Sequence, residues 1–432
     1  MRTRKDFSAN SIADLKLHLL NWARDEEVFL WCDSNTHLGN QTYETYDAVL
    51  AVGVRTELRS TYKNAFEKLR KFRKETNDYI FGYLSYDLKN DIEEISSQNF
   101  DGLGFDDLYF FHPQKIIFLQ QSELTFSYLE EFENEIEKDW VDIQKSSPDS
   151  IHPHTEIEIK QRVSRQLYNE NLEKILAHIH RGDIYEVNFC QEFYAEKCEI
   201  HPLMVYQKLN SISTPPFATF LRIYDKYLLS ASPERFVKKV DSKVISQPIK
   251  GTARRSGDAK EDKRIKEELA KDPKERSENI MIVDLVRNDL SKTAIKGSVR
   301  VEELCEVYTF QQVHQLISTV VSEVAAEMDV IDIIISLFPM GSMTGAPKIS
   351  AMEIIEELEE TKRGLYSGAV GYFSPENDFD FNVVIRSILY NTTKRYVSFS
   401  VGGAITSQSQ IENEYRECMV KAEAMKRALN RE

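Results

Sequence analysis

Three apolar segments follow one another late in the chain with only short polar breaks between them, and no other feature restricts the fold as much. Tyr366–Phe373, Phe381–Tyr390 and Tyr396–Ile405 have strand length and are rich in aromatic and β-branched residues. The breaks, Ser374–Asp380 and Asn391–Arg395, are too short for a helical crossover, so these strands must return antiparallel. A helix from about Ile411 to Leu429 follows them. Upstream, Lys226–Ser232 and Lys239–Pro248 are expected as strands, with Pro233–Phe236 between them. Asp258–Leu269 and Lys274–Leu290 are expected as helices, as is Val163–Arg181. A Gly-containing loop, Met340–Ala346, leads into a helix from about Pro347 to Glu360, where proline at the start loses no hydrogen bond. The earlier part mixes strands at Tyr79–Tyr86 and Tyr109–Leu119 with a helix at Thr61–Lys74. Helices packed on mainly antiparallel sheets define the α+β class. The Ser- and Pro-containing stretch Lys145–Thr155 marks a boundary or a surface excursion, which divides residues 1–150 from 151–432.

The formal net charge of −15 opposes binding to nucleic acid or an anionic membrane. Charge without a following apolar stretch at Met1–Asp6 predicts no signal peptide, and the longest apolar run, near Ile333–Phe338, is too short to span a bilayer. The cysteines at 32, 190, 198, 305 and 418 are scattered and odd in number, as expected of thiols in a reducing cytosol. A cytoplasmic location is therefore expected.

Several positions carry possible chemistry. Glu275 with Glu278, and Glu414 with Glu417, are carboxylates three residues apart on predicted helices, so each pair shares a face. Converging, the four suit a hard cation such as Mg2+; apart, each is a solvated helix edge. Lys250 ends an apolar strand beside Gly251. Partial desolvation there favours a neutral, nucleophilic amine, whereas an ammonium in water is the ordinary alternative. Glu234 lies in the turn before the partner strand, as an acid near Lys250 or as a solvated turn residue. The loop Gly341–Lys348 ends at a helix N-terminus suited to an anion or to simple capping. His314 among apolar neighbours is a core histidine or a site residue. Arg386 in an apolar strand needs an anion, from the protein or from a ligand.

The order of these segments resembles the chorismate-utilising enzymes. Ser230–Phe236 (SASPERF), Pro248–Thr252 (PIKGT), Lys274–Asp289 (KERSENIMIVDLVRND), Gly341–Lys348 (GSMTGAPK), Tyr366–Phe373 (YSGAVGYF) and Glu412–Lys421 (ENEYRECMVK) carry the likeness. It is dense from about Glu186 to Lys421. Phe29–Ser34 and Phe81–Asp87 look like N-terminal strands of the family, so residues 1–150 resemble the N-terminal region of anthranilate-synthase-I-like members and 151–432 the chorismate-binding region. The resemblance implies a layered α/β/β/α sandwich with its site between two sheets. It implies that Glu278 and Glu417 bind Mg2+ directly, with Glu275 and Glu414 acting through water. It places Tyr366, Arg386, Lys421 and the Gly402, Gly403 and Ala404 backbone on the carboxylates of chorismate, with Thr344 and His314 near its ring.

Position 250 separates branches of this family. Members that aminate chorismate at C4 typically carry lysine there, and anthranilate-forming members alanine. The implied chemistry has Lys250 attack C2 while Glu234 protonates the departing C4 hydroxyl, after which ammonia attacks C4 and displaces the lysine. Two departures stand out. Glu186 occupies a position where amine-forming members usually carry glutamine and water-using members lysine; Gly402-Gly-Ala404 replaces the usual Gly-Ala-Gly. Without a glutaminase signature, ammonia is expected from a separate glutamine amidotransferase subunit. The anthranilate-forming reaction is the alternative expectation, and a non-catalytic binding relative a more distant one.

Overall fold

The structure, a computed structural model, describes residues 1–8, 11–35, 43, 46–146 and 157–430. The boundary expected near residue 150 lies outside the described residues. Every pairing between named strands is antiparallel. Two long strands, Ala48–Ser60 and Leu108–Gln120, pair along their whole length across a register shift between Val54 and Thr56. One end of Leu108–Gln120 pairs with Ile80–Leu84 and the other with Glu123–Leu129. The bent pair therefore belongs to two sheets at once, a common use of an irregularity in a ladder. From it one sheet runs through Val28–Asp33, Phe217–Ile223, Lys226–Ser232, Ser387–Asn391 and Tyr396–Thr406 to Glu186–Ala195. The other runs through Ile80–Leu84, Ala369–Phe373, Phe379–Val383, Arg235–Val240 and Lys243–Gln247 to Val313–Glu323.

Alternation in Val28–Asp33 shows how the layers form. Val28 and Leu30 enter the core between the sheets, while Phe29 and Trp31 enter a second core under the helices Ile12–Ala23, Pro202–Ser213 and Ile411–Leu429. Both faces are buried, which is why the segment is continuously apolar. The second sheet is covered by Ala65–Thr76, Pro273–Ser291 and Val330–Leu337, through residues such as Leu69, Ile282, Val286 and Ile334. This is the expected α+β sandwich. No helix among the described residues is long and apolar enough to cross a membrane.

Two expected strands are each divided. Lys239–Pro248 is in fact the end of Arg235–Val240 and the strand Lys243–Gln247, turned at Asp241 with φ +52°. Phe381–Tyr390 breaks at Arg386, φ +53°, into Phe379–Val383 and Ser387–Asn391. The second break positions the site, because the chain passes there from one sheet to the other. It does so again at Pro233–Glu234, between Lys226–Ser232 and Arg235–Val240. The two crossings touch: Val383 N–H donates to the Glu234 carbonyl at 3.0 Å, and Ala231 N–H to that of Arg386 at 3.1 Å.

Candidate active site

Lys250 sits on the strand Ile249–Arg254, where pairing with Val313–Glu323 slips between Ile249 and Thr252. Lys250 and Gly251 fill this bulge, and Gly251 takes φ +89°, which glycine adopts without strain. A Cβ on Gly251 would lie 3.1 Å from Glu275 Oε2 and 3.0 Å from Leu316 Cδ1. The bulge thus brings the lysine segment against the first acidic helix. Lys250 Nζ donates to Glu186 Oε1 at 2.9 Å, and both side chains are largely buried. Burial favours the neutral amine, but Glu186, with Glu278 and Glu234 further off, outweighs it and raises the Lys250 pKa. Of the two alternatives for Lys250, this pairing favours the ammonium, held by buried Glu186 and not by water.

Glu234 is buried and its pKa is pushed up to about 7, chiefly by loss of solvent. Its hydrogen-bond partner is Ser342, whose hydroxyl donates to Oε1 at 2.7 Å, and Lys250 acts on it through space. Ser342 belongs to the loop Gly341–Ala346, which is sewn to the start of Glu186–Ala195. Gly345 and Ala346 pair with Val187 and Glu186, Asn188 N–H donates to the Thr344 carbonyl, and Asn188 Nδ2 to that of Ser342. A Cβ on Gly345 would lie 2.2 Å from the Glu186 carbonyl, so only glycine fits. Thr344 is buried, and its hydroxyl donates to the Met340 carbonyl at 3.1 Å. The helix after the loop is Lys348–Leu358, with Pro347 as its cap instead of its first residue. Lys348 at its start pairs with Asp289 at 2.5 Å, so the protein itself supplies charge at the terminus where an anion was one expectation.

A clamp that sequence reasoning missed lies beneath this loop. Arg363 binds Glu359 with two nitrogens, at 2.6 and 2.9 Å, and donates to the carbonyls of Met343 and Asn188 at 2.6 and 2.7 Å. Glu359 also accepts from Cys190 N–H at 2.8 Å. The one signal available is the i, i+4 spacing of acid and base, which exposed helices share.

Pro273–Ser291 is capped by Asp272, which accepts from the N–H groups of Lys274 and Glu275, and Asn279 Nδ2 ties it to the Leu316 carbonyl. The helix Ile411–Leu429 brings Glu414 and Glu417 to the same region, since Lys274 feels all four glutamates. Burial pushes Glu278 up to about 7 and raises Glu275 and Glu414. Glu417 is also partly desolvated, but Lys421 at 2.7 Å holds it below its ordinary range. Among the described residues no three acidic, His or Cys side chains converge closely enough to hold a metal ion, and Lys274 and Lys421 supply positive charge instead. The donors are nonetheless hard carboxylate oxygens on two facing helices with surplus negative charge, which suits Mg2+ in chemistry.

Lys421 Nζ also donates to the Gly402 carbonyl at 2.9 Å. Arg386 donates weakly to the Lys421 carbonyl at 3.5 Å, and among the described residues no carboxylate pairs with it. Burial lowers its pKa, as expected for a cation lacking a neutralising anion. Tyr366 is buried beside Cys190 Sγ, 3.6 Å from its hydroxyl, and acts on Arg386 through space. Among the described residues Glu417 acts on Arg386 through space, without a hydrogen bond between them. His314 is bound on both ring nitrogens, by Thr309 Oγ1 at 3.0 Å and Asp262 Oδ1 at 3.1 Å, and no described contact joins it to Lys250 or Glu234. Gly402 and Gly403 differ sharply. A Cβ at 402 would lie 2.3 Å from Cys190 Sγ and 2.6 Å from the Phe189 carbonyl, whereas at 403 the nearest atom is 3.5 Å away. Gly402→Ala should lower stability by about 1–3 kcal/mol through overpacking, and Gly403→Ala should be nearly neutral; thermal melting of both variants checks this.

A buried lysine–glutamate pair, a buried acid and an arginine with no carboxylate hydrogen bonded to it among the described residues lie near the crossings between the two sheets of the α/β/β/α sandwich. Residues 27–427 match the model of the chorismate binding enzymes, and the chain belongs to that family. It is 33% identical to aminodeoxychorismate synthase component 1 of Escherichia coli (strain K12) over 81% of this chain and 76% of the relative. It is 32% identical to anthranilate synthase component 1 of Thermus thermophilus over 90% of this chain and 87% of that one. The crystal structure of anthranilate synthase component I from Streptococcus pneumoniae TIGR4 superposes with a TM-score of 0.79 at 25% identity, covering 90% of this chain and 94% of the other.

Proposed function

We propose that this chain converts chorismate and ammonia to 4-amino-4-deoxychorismate, as component 1 of an aminodeoxychorismate synthase serving 4-aminobenzoate and folate synthesis. One observation carries the reading: a buried lysine lies within electrostatic reach of a buried carboxyl whose pKa of about 7 suits an acid. Identities of 33% and 32% do not separate the aminating from the anthranilate-forming relatives, so Lys250 must. Arg386, Tyr366, Lys421 and the Gly402–Ala404 backbone would hold the substrate carboxylates, with Thr344 and His314 toward the ring. Glu278 and Glu417, with Glu275 and Glu414 behind them, would hold Mg2+, which when bound neutralises a substrate carboxylate and withdraws electron density from the ring. Ammonia would come from a separate glutamine amidotransferase subunit, in keeping with the component 1 name of the relatives.

The test is incubation with chorismate, Mg2+ and ammonium, with products identified by mass spectrometry, and a parallel arm in excess chelator. Aminodeoxychorismate is expected with Mg2+ and ammonium, with little from glutamine alone. Anthranilate with released pyruvate as the main product would overturn the reading in favour of the alternative. Because Glu234 must be protonated to release the C4 hydroxyl as water, kcat should be sustained below about pH 7 and fall as pH rises through that value. Glu234→Gln, which cannot donate this proton, should lose that limb along with most activity.

A further inference from the structure

Glu186 is the one residue at this site without an expected role. It opens the strand Glu186–Ala195, with backbone pairing to Ala346 on one side and Thr406 on the other, so its Cα is fixed from both edges. Its Oε1 holds the Lys250 ammonium, while its buried Oε2 has no partner among the described residues. Glu359 is an instructive contrast in the same layer. Both its oxygens are hydrogen bonded, as a purely structural buried carboxylate requires. The other charged groups that act on Lys250 are Glu278 and Glu275 from the first acidic helix, Glu417 from the closing helix and Glu234 from the sheet crossing, and none is hydrogen bonded to it among the described contacts.

An ammonium has no lone pair, so attack on carbon requires a proton to leave Nζ first. On the proposed amination, we infer that Glu186 is a positioning residue for Lys250 and the group that takes and returns its proton during turnover. Nζ passes one proton to Glu186, and the neutral amine then forms a bond to C2. The C1–C2 and C5–C6 double bonds shift to C1–C6 and C4–C5, and the C4 hydroxyl departs as water with the Glu234 proton. Ammonia next bonds to C4, the double bonds shift back, and the C2–N bond breaks with its electron pair going to Nζ. The new C4 ammonium returns a proton to Glu234, and Glu186 returns its own to Lys250. Each residue ends as it began, and chorismate plus ammonia has become aminodeoxychorismate plus water.

The test compares wild type, Glu186→Gln and Glu186→Asp from about pH 6 to 9, by kcat and by single-turnover formation of the Lys250 adduct without ammonia. The Glu234 limb is common to all three and cancels in ratios. In wild type the proton stays inside the pair, whereas in Glu186→Gln it must go to solvent. The wild-type to Glu186→Gln ratio should therefore fall as pH rises, by up to about tenfold per pH unit. KM for chorismate should change little. Glu186→Asp keeps an acceptor and should keep the wild-type pH dependence whatever its absolute rate, which also guards against a glutamine variant that does not fold. A ratio independent of pH, or an aspartate variant that behaves like glutamine, would remove the role. Absence of any adduct on wild-type Lys250 would instead sink the covalent amination itself, so the two failures are distinguishable.

Discussion

Lys250→Ala is expected to slow aminodeoxychorismate formation by at least roughly a hundredfold, the low end for loss of a positioned catalytic group, with a much smaller change in KM. In the proposed reaction the amine would contact C2 only as the ring reacts, so its removal should act on the transition state more than on binding. The structure adds a complication that the sequence did not show. Lys250 neutralises buried Glu186, so the alanine variant leaves an uncompensated carboxylate and should also lose stability. Two controls separate these effects. Lys250→Arg retains a cation for Glu186 and should stay folded, yet it should be as inactive as alanine because guanidinium cannot act as a nucleophile. Lys250→Ala with Glu186→Gln removes both charges and should regain stability without regaining turnover. Intact-protein mass spectrometry of quenched wild-type reactions lacking ammonia should show a chorismate-derived adduct on Lys250. Near-normal kcat in Lys250→Arg, with no adduct in wild type, would return the chain to the anthranilate-forming alternative.

Some of this architecture is legible in the sequence because it is written locally. The closing helix Ile411–Leu429 has a clear apolar stripe and lies where the periodicity predicts it. The antiparallel returns follow from connection length alone. The division at Arg386 was hidden because a non-glycine residue adopts positive φ inside a segment whose composition stays strand-like, whereas at Asp241 the turn signal is only the short pair Asp241-Ser242 within a longer run. At Arg386 the cost of that backbone coincides with the site, where the guanidinium reaches the Lys421 carbonyl. The Lys250–Glu186 pair was not legible at all, since the partners are 64 residues apart and meet only through the bulge and the Gly345–Val187 pairing. Both charge states of the lysine stay open in the sequence, because the balance depends on a partner that no spacing reveals.

Arg363→Leu should be the most destabilising single change near the site, by about 3–5 kcal/mol, because it breaks a buried pair and leaves one charge behind. Glu359 would keep only the Cys190 N–H as donor, while the carbonyls of Met343 and Asn188 would each lose theirs. Burial already raises the Glu359 pKa against the pull of Arg363, so without the guanidinium its carboxyl should take up a proton. The loss should appear in urea unfolding as a lower midpoint with little change in slope. Folded material should also show reduced kcat, because the clamp fixes the loop from which Ser342 bonds Glu234. The decisive measurement is the double variant Glu359→Met/Arg363→Leu. If the single change is costly because it strands a charge, removing that charge as well should restore part of the lost stability, despite the acceptor that Cys190 then lacks. A double variant less stable than Arg363→Leu would show instead that Arg363 acts mainly through the two loop carbonyls, and that Glu359 contributes independently of it.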